Sequence, residues 1–104
     1  MAIVNLSALA QTDLNEIWSY IAESNPDSAD KVIDELFKKF QLLSKNSGLG
    51  KSRDNIIINL RSFPYDKFVV FYFPIDDGVE IYRILHSSRD INQLFSDYFE
   101  GLDE

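Results

Sequence analysis

At 104 residues, with 45% hydrophobic and 13% aromatic content, the chain can bury one core but not two, and it is not a disordered polymer. It has no cysteine and one histidine, which excludes disulfides, thiolate chemistry and the usual zinc ligand sets. The formal net charge of −7 is distributed as −6 over residues 1–37, +5 over 38–67, −1 over 68–89 and −5 over 90–104, so a basic middle is framed by acidic ends.

Residues 2–6 read as a first strand. Ser7 can cap the helix that follows, in which Ala10, Leu14, Ile17, Trp18 and Ile21 recur at helical spacing and form one core-facing stripe. That helix should end near Ser24. Asn25-Pro26 is a restart signal, with Asn as cap and Pro at the first helical position, where no N–H is needed. Ala29, Ile33, Leu36, Phe37, Phe40 and Leu43 give a second stripe. The link is short, so residues 7–44 are expected to form an antiparallel helical hairpin backed by a sheet.

Residues 44–55 form a basic loop with Lys45, Lys51 and Arg53, broken by Gly48 and Gly50. Gly50-Lys51-Ser52 lacks the glycine spacing of a phosphate loop and carries no such meaning. The β-branched run at 56–60 predicts a second strand. The third, over 67–73, is apolar at every position from Phe68 to Phe73, so it should be central and covered on both faces, with Pro74 ending it. Asp76-Asp77-Gly78 predicts a hairpin turn that uses the tolerance of Gly for positive φ. In the last strand, over 79–85, alternation puts Val79, Ile81, Arg83 and Leu85 on one face and Glu80, Tyr82 and Ile84 on the other. An arginine in an aliphatic parity marks either a head snorkelling to the sheet edge or a functional groove. Asp90 and Gln93 resemble a capping box opening a third helix over 91–102. The order is β-α-α-β-β-β-α, a single α+β domain over 1–104 with a small, mainly antiparallel sheet packed against a helical hairpin.

The stretch 60–90 is the most informative. Arg61, Arg83 and Arg89 mark its strands, and His86 closes it. A small sheet with cations on its edges is a poor metabolic site and a good surface for gripping a macromolecule. No apolar run approaches the ~20 residues of a membrane span. The start, MAIVNLSALAQTD, has no basic region before its apolar residues, so no signal peptide is expected. A cytoplasmic protein without metal or cofactor is the expectation.

The motifs together resemble the ParE branch of the RelE/ParE toxin superfamily of type II toxin–antitoxin systems. Leu6-Ser7, Ala10, Asp13-Leu14, Ile17 and Tyr20-Ile21 are similar to the pattern LS-x-x-A-x-x-DL-x-x-I-x-x-YI. Asn25-Pro26 and Ala29 match the helix break. Gly50, Arg53 and Leu60-Arg61-Ser62-Phe63 resemble G-x-x-R…LRSFP, and Tyr72, Arg83-Ile84-Leu85-His86 and Arg89-Asp90 resemble Y…RVLH-x-x-RD. The resemblance spans residues 6–90. It implies a RelE/ParE-like fold and a toxin silenced by a cognate antitoxin, ParD-like or another DNA-binding module, in a hetero-oligomer that represses its own operon. ParE-like members are gyrase poisons that block replication and stabilise plasmids. RelE-like members are ribosome-dependent endoribonucleases that cut mRNA.

Metal-free cleavage of a phosphodiester needs a base, an acid and cations on the developing charge. Arg61, Arg83, His86 and Arg89 are the candidates for that chemistry. Net acidity opposes it, because a nuclease must approach dense phosphate, and strong direct nucleic-acid binding is not expected. Binding a protein surface tolerates acidity and favours arginine and aromatics. Arg61, Phe63, Tyr65, Arg83 and Arg89 are therefore the expected contacts to a protein target, DNA gyrase, and removing Arg83 is expected to cost toxicity and not stability. Leu94, Phe95 and Tyr98 of the third helix are the expected antitoxin contacts.

Overall fold

The helices begin where the sequence supplies a side-chain acceptor. Ser7 Oγ accepts the Ala10 N–H at 3.0 Å and opens α1 (Ala8–Ala22). Asn25 Oδ1 accepts the Ser28 N–H at 3.1 Å, and Pro26 starts α2 (Pro26–Lys45). The computed structural model describes residues 2–89 and Ile91. The expected third helix over 91–102, with Leu94, Phe95 and Tyr98, lies outside the described residues. The strands are β1 (Ile3–Leu6), β2 (Lys51–Ser52), β3 (Arg61–Tyr65), β4 (Phe68–Ile75) and β5 (Gly78–His86). No helix among the described residues is long and apolar enough to cross a membrane.

The strands form one sheet in the order β1-β5-β4-β3-β2, with β1 parallel to β5 and every other pair antiparallel. The all-apolar strand is central, as expected, and Val70, Phe71 and Tyr72 are buried completely. Alternation sends Val70 and Tyr72 to the helical side. There they meet Ala10 and Leu14 of α1, Leu36, Phe40 and Leu43 of α2, and Val79, Ile81 and Ile84 of β5. Phe71 points to the other side and packs with Leu60 and Leu85, bordered by Ile56, Ile57, Val69, Phe73, Tyr82 and Ile91. Each aliphatic side chain fully buried in these layers contributes about 1.5–3 kcal/mol.

Five expectations change. Residues 56–60 are not a strand. They fold into turns in which the N–H groups of Ile56 and Ile57 donate to the Arg53 carbonyl and that of Leu60 to the Ile57 carbonyl. Asn59 takes a φ of 71°, with its N–H on Asp54 Oδ1 at 2.8 Å. This local bonding wins over the β preference of three isoleucines, and the strand starts at Arg61 instead. Pro74 does not end β4. Pairing with β3 stops at Tyr72, so Pro74 lies where no neighbour needs its N–H.

Gly78 has no positive φ. It is needed because a Cβ there would sit inside the contact distance of Ile3, 2.6 Å from its nitrogen. The faces of β5 do not keep one parity, because Phe71 pairs with Arg83 while Tyr72 pairs with Ile81. Tyr82 is the extra residue of a β-bulge, which moves Ile84 to the helical side and Leu85 to the opposite one. Trp18 is not core. It is 41% exposed in the seam between the helices, where its Nε1–H donates to Asp30 Oδ1 at 2.8 Å.

Gly78→Ala should lower stability by about 2 kcal/mol or more, because the β1–β5 backbones cannot separate without losing their ladder. Gly48→Ala, with nothing within 4 Å of the added carbon, should leave it unchanged or raise it by up to about 1 kcal/mol. Urea denaturation of the two variants checks both signs.

Candidate functional site

β1 stops pairing at Leu6–Ile81, so β5 beyond that point has an open backbone edge. The start of α1 closes it. The Ser7 N–H donates to the Ile81 carbonyl at 3.0 Å, and Ser7 Oγ donates to the Tyr82 carbonyl at 2.7 Å. Two turns on, Asp13 Oδ2 accepts the Ile84 N–H at 2.9 Å. The same carboxylate takes Arg83 in a fork, Nε to Oδ2 at 2.9 Å and an Nη to Oδ1 at 3.0 Å. Asp13 is 5% exposed, so its charge depends on these three donors. The Asp13 hydrogen bond holds the Arg83 guanidinium above its ordinary pKa against the opposing effect of burial. Arg83 is therefore committed to holding α1 on β5. The expectation that it can be removed without loss of stability does not fit this geometry.

A cleft of about 720 Å³ opens beside this node. Ile17, Ile21, Val32, Phe68 and Ile84 contribute its apolar lining. Lys67, His86 and Arg89 border it from the strand ends, and Glu16, Tyr20 and Asp66 also line it. Three of the sequence candidates, Arg83, His86 and Arg89, thus come together. His86 Nδ1 accepts the Ser88 N–H at 3.1 Å, with Ser88 Oγ at 2.7 Å, and the ring stacks edge-on with Phe68 at 5.9 Å. That pattern makes Nδ1 the acceptor and places the proton of the neutral ring on Nε2. Among the described residues, no group of three His, Cys, Asp or Glu side chains could hold a metal ion.

The remaining candidates lie elsewhere. Arg61 pairs with Tyr72, whereas His86 pairs with Phe68, so they stand roughly 13 Å apart along β4 at 3.4 Å per residue. Arg61 Nε donates to the Gly50 carbonyl at 2.9 Å and an Nη to the Gly48 carbonyl at 3.1 Å. Among the described residues no carboxylate is paired with it. Phe63 is half-buried against the main core. Tyr65 lies on β3 with Lys39 Nζ 5.8 Å above its ring, and its phenol pKa is raised by desolvation first, then by Glu35 and Asp66. The residues missed are Asp13, Glu16 and Tyr20 on α1 and Asp66 and Lys67 on the β3–β4 turn. Asp13 was open to detection, since a carboxylate one turn after Ala10 and beside Leu14 belongs to the buried stripe.

The comparisons with known proteins agree with this geometry. A family model described as "ParE toxin of type II toxin-antitoxin system, parDE" matches residues 4–91. The chain belongs to the ParE toxin family of type II toxin–antitoxin systems. It is 31% identical over 86 residues to "Toxin ParE1" of Caulobacter vibrioides, covering 82% of this chain and 88% of that one. It is also 31% identical over 88 residues to "Toxin RelE3" of the same organism, covering 84% and 96%. A solved structure titled "Chromosomal ParDE TA system from P. aeruginosa" superimposes with a TM-score of 0.68 at 19% identity, covering 83% of this chain and 96% of that one. The α+β, RelE/ParE-like fold expected from the sequence is the observed one. Equal identity to a relative named for each branch leaves the choice of target to the chemistry of the cleft.

Asp13→Ala should lower stability by about 3 kcal/mol, because it strands three donors, and Arg83→Met by about 2 kcal/mol, because it leaves a buried carboxylate half satisfied. Together they should cost at least about 0.5 kcal/mol less than their sum. Strict additivity in urea melts would contradict the shared node.

Proposed function

We propose that this ParE-family toxin acts in the cytoplasm by binding DNA gyrase and blocking replication, and that a cognate antitoxin neutralises it in a hetero-oligomer. The observation that carries this reading is the charge balance of the cleft. Its cations Lys67, Arg83 and Arg89 face the anions Asp13, Glu16 and Asp66, and Arg83 is already paired. A phosphate clamp needs an excess of free cations, because each anion nearby opposes the polyanion that must enter. The chain as a whole carries −7, so its net charge also opposes a polyanion.

The proton chemistry is equally poor. A base acting on a 2′-hydroxyl needs an open lone pair within reach. The Nδ1 lone pair of His86 accepts the Ser88 N–H, and desolvation, with Glu35 and Asp66, raises the Tyr65 phenol pKa and so disfavours a phenolate base. A mixed-charge cleft with an apolar lining suits contact with another protein, in which arginine and aromatic groups carry the affinity. On this reading Arg89, with Lys67 and Tyr20 lining the same cleft, touches the partner, while Arg83 acts mainly by shaping the site. Tyr65 and Phe63 continue the surface along β3. The relatives named for a ParDE pair support an antitoxin of the ParD kind as the neutralising partner.

Expression without antitoxin should give filamentous cells and an SOS response, while protein synthesis continues at first. An early stop in translation with fragmented mRNA would assign the chain to ribosome-dependent cleavage instead. His86→Ala should leave growth inhibition within about twofold of the parent, whereas loss of a general acid or base typically costs ~10²–10⁴-fold. Titration of growth against inducer concentration reads the difference.

A further inference from the structure

The segment between α2 and β2 reaches the surface at Asn46, Gly48 and Leu49, yet most of its carbonyls are bonded within the protein. The carbonyls of residues 46, 47, 48 and 50 all have protein donors. Asn46 accepts the Leu49 N–H at 3.0 Å, and Ser47 accepts the Tyr72 hydroxyl at 2.7 Å. Gly48 and Gly50 accept the two arms of Arg61. The Gly50 N–H donates back to Tyr72 Oη at 2.8 Å. A Cβ on Gly50 would lie 2.7 Å from Tyr72 Cε1 and 2.8 Å from the Ser62 carbonyl, so the loop lies directly on the sheet. Just beyond it, Arg53 Nε donates to Ser62 Oγ at 2.8 Å, and the Arg53 N–H to the Leu60 carbonyl at 2.8 Å.

A surface loop ordinarily leaves its carbonyls to water and moves accordingly. Here a fully buried tyrosine spends its hydroxyl on Ser47 and Gly50, and an arginine its fork on Gly48 and Gly50. What that holding presents is Leu49, 53% exposed at the tip, with exposed Lys45 and Lys51 on either side. No acidic residue occurs between Glu35 and Asp54, while Lys38, Lys39, Lys45, Lys51 and Arg53 do. A single exposed leucine is ordinary on any surface. One fixed in place on an otherwise acidic chain and flanked by cations is a pre-ordered anchor, for which the entropy of ordering has been met before contact.

We propose that Leu49, flanked by Lys45 and Lys51, is a contact through which the toxin engages its protein target, at an apolar recess bordered by acidic side chains. Arg61 and Tyr72 are positioning residues that hold this loop. The inference rests on the toxin reading above, but not on which protein is poisoned. It gives Arg61 a role one step behind the surface where sequence reasoning had put it.

The test uses the full chain expressed from an inducible promoter, with the product of the adjoining antitoxin reading frame as binding partner. Leu49→Ser and Lys51→Glu should each raise the inducer dose for growth arrest by about tenfold, the size expected for loss of one interface anchor. Antitoxin binding and melting temperature should stay at parental values. In the Leu49→Ser background, Arg61→Gln should add less than twofold, although alone it should weaken toxicity about as much as Leu49→Ser. Unchanged toxicity of Leu49→Ser overturns the proposal. So does joint loss of toxicity and antitoxin binding, which would assign the loop to the antitoxin. Full additivity of Arg61→Gln overturns the positioning role. Filamentation or translational arrest in the parent strain separately reports the target, so the failure of one reading is distinguishable from failure of the other.

Discussion

One carboxylate decides how the two layers of this protein meet. β1 leaves β5 after Ile81, and an open strand edge inside a small protein is a cost that something must meet. Ser7 and Asp13 meet it from α1, by bonding the backbone at Ile81, Tyr82 and Ile84. The bulge at Tyr82 is what makes the arrangement consistent. Without the extra residue, Ile84 would face away from the helices, and the main core would lose a buried member. With it, Arg83 can turn to Asp13 and the buried charge is matched. The cleft is a consequence, since its wall is the part of α1 that Asp13 draws onto the end of β5.

The second fixed point follows the same logic on the other side of β4, where β3 pairs with it. Tyr72 is buried completely, and its hydroxyl finds partners in the loop that covers it. Arg61 completes the bonding. In both places an arginine that reads from the sequence as a surface cation is used inside the molecule, once on a carboxylate and once on carbonyls. That use bears on function. The cations that a phosphodiesterase would need free are partly committed to the fold, and those that remain share a cleft with Glu16 and Asp66. A surface of mixed charge and apolar lining is suited to recognition of a protein, which is the basis of the gyrase proposal.

The sequence made much of the fold legible because its strongest signals are local. Ser7 and Asn25 are caps whose partners lie three residues away, and the run from Phe68 to Phe73 reveals a central strand whatever surrounds it. The failures share a different cause. The bulge depends on pairing between β4 and β5 and leaves no mark in the alternation of β5 alone. The isoleucines at 56–58 have strand propensity, but Asp54 and Arg53 supply turn bonds that override it. Trp18 sits on the edge of the apolar stripe, and its indole nitrogen finds Asp30 at the solvent side of the seam. Of the candidate residues, Arg83, His86 and Arg89 line one cleft, whereas Arg61, grouped with them from the sequence, does not. The role of Arg83 was hidden because its partner is 70 residues earlier in the chain.

The central claim is that the cations of the hairpin serve architecture and protein contact, not cleavage of RNA. The most direct test is to add the purified toxin to two reconstituted reactions, DNA supercoiling by gyrase and translation of a reporter mRNA on ribosomes. The account predicts inhibited supercoiling with accumulation of cleaved DNA–gyrase complex, and full-length mRNA in the translation reaction. Cut mRNA on the ribosome with supercoiling unaffected would contradict it.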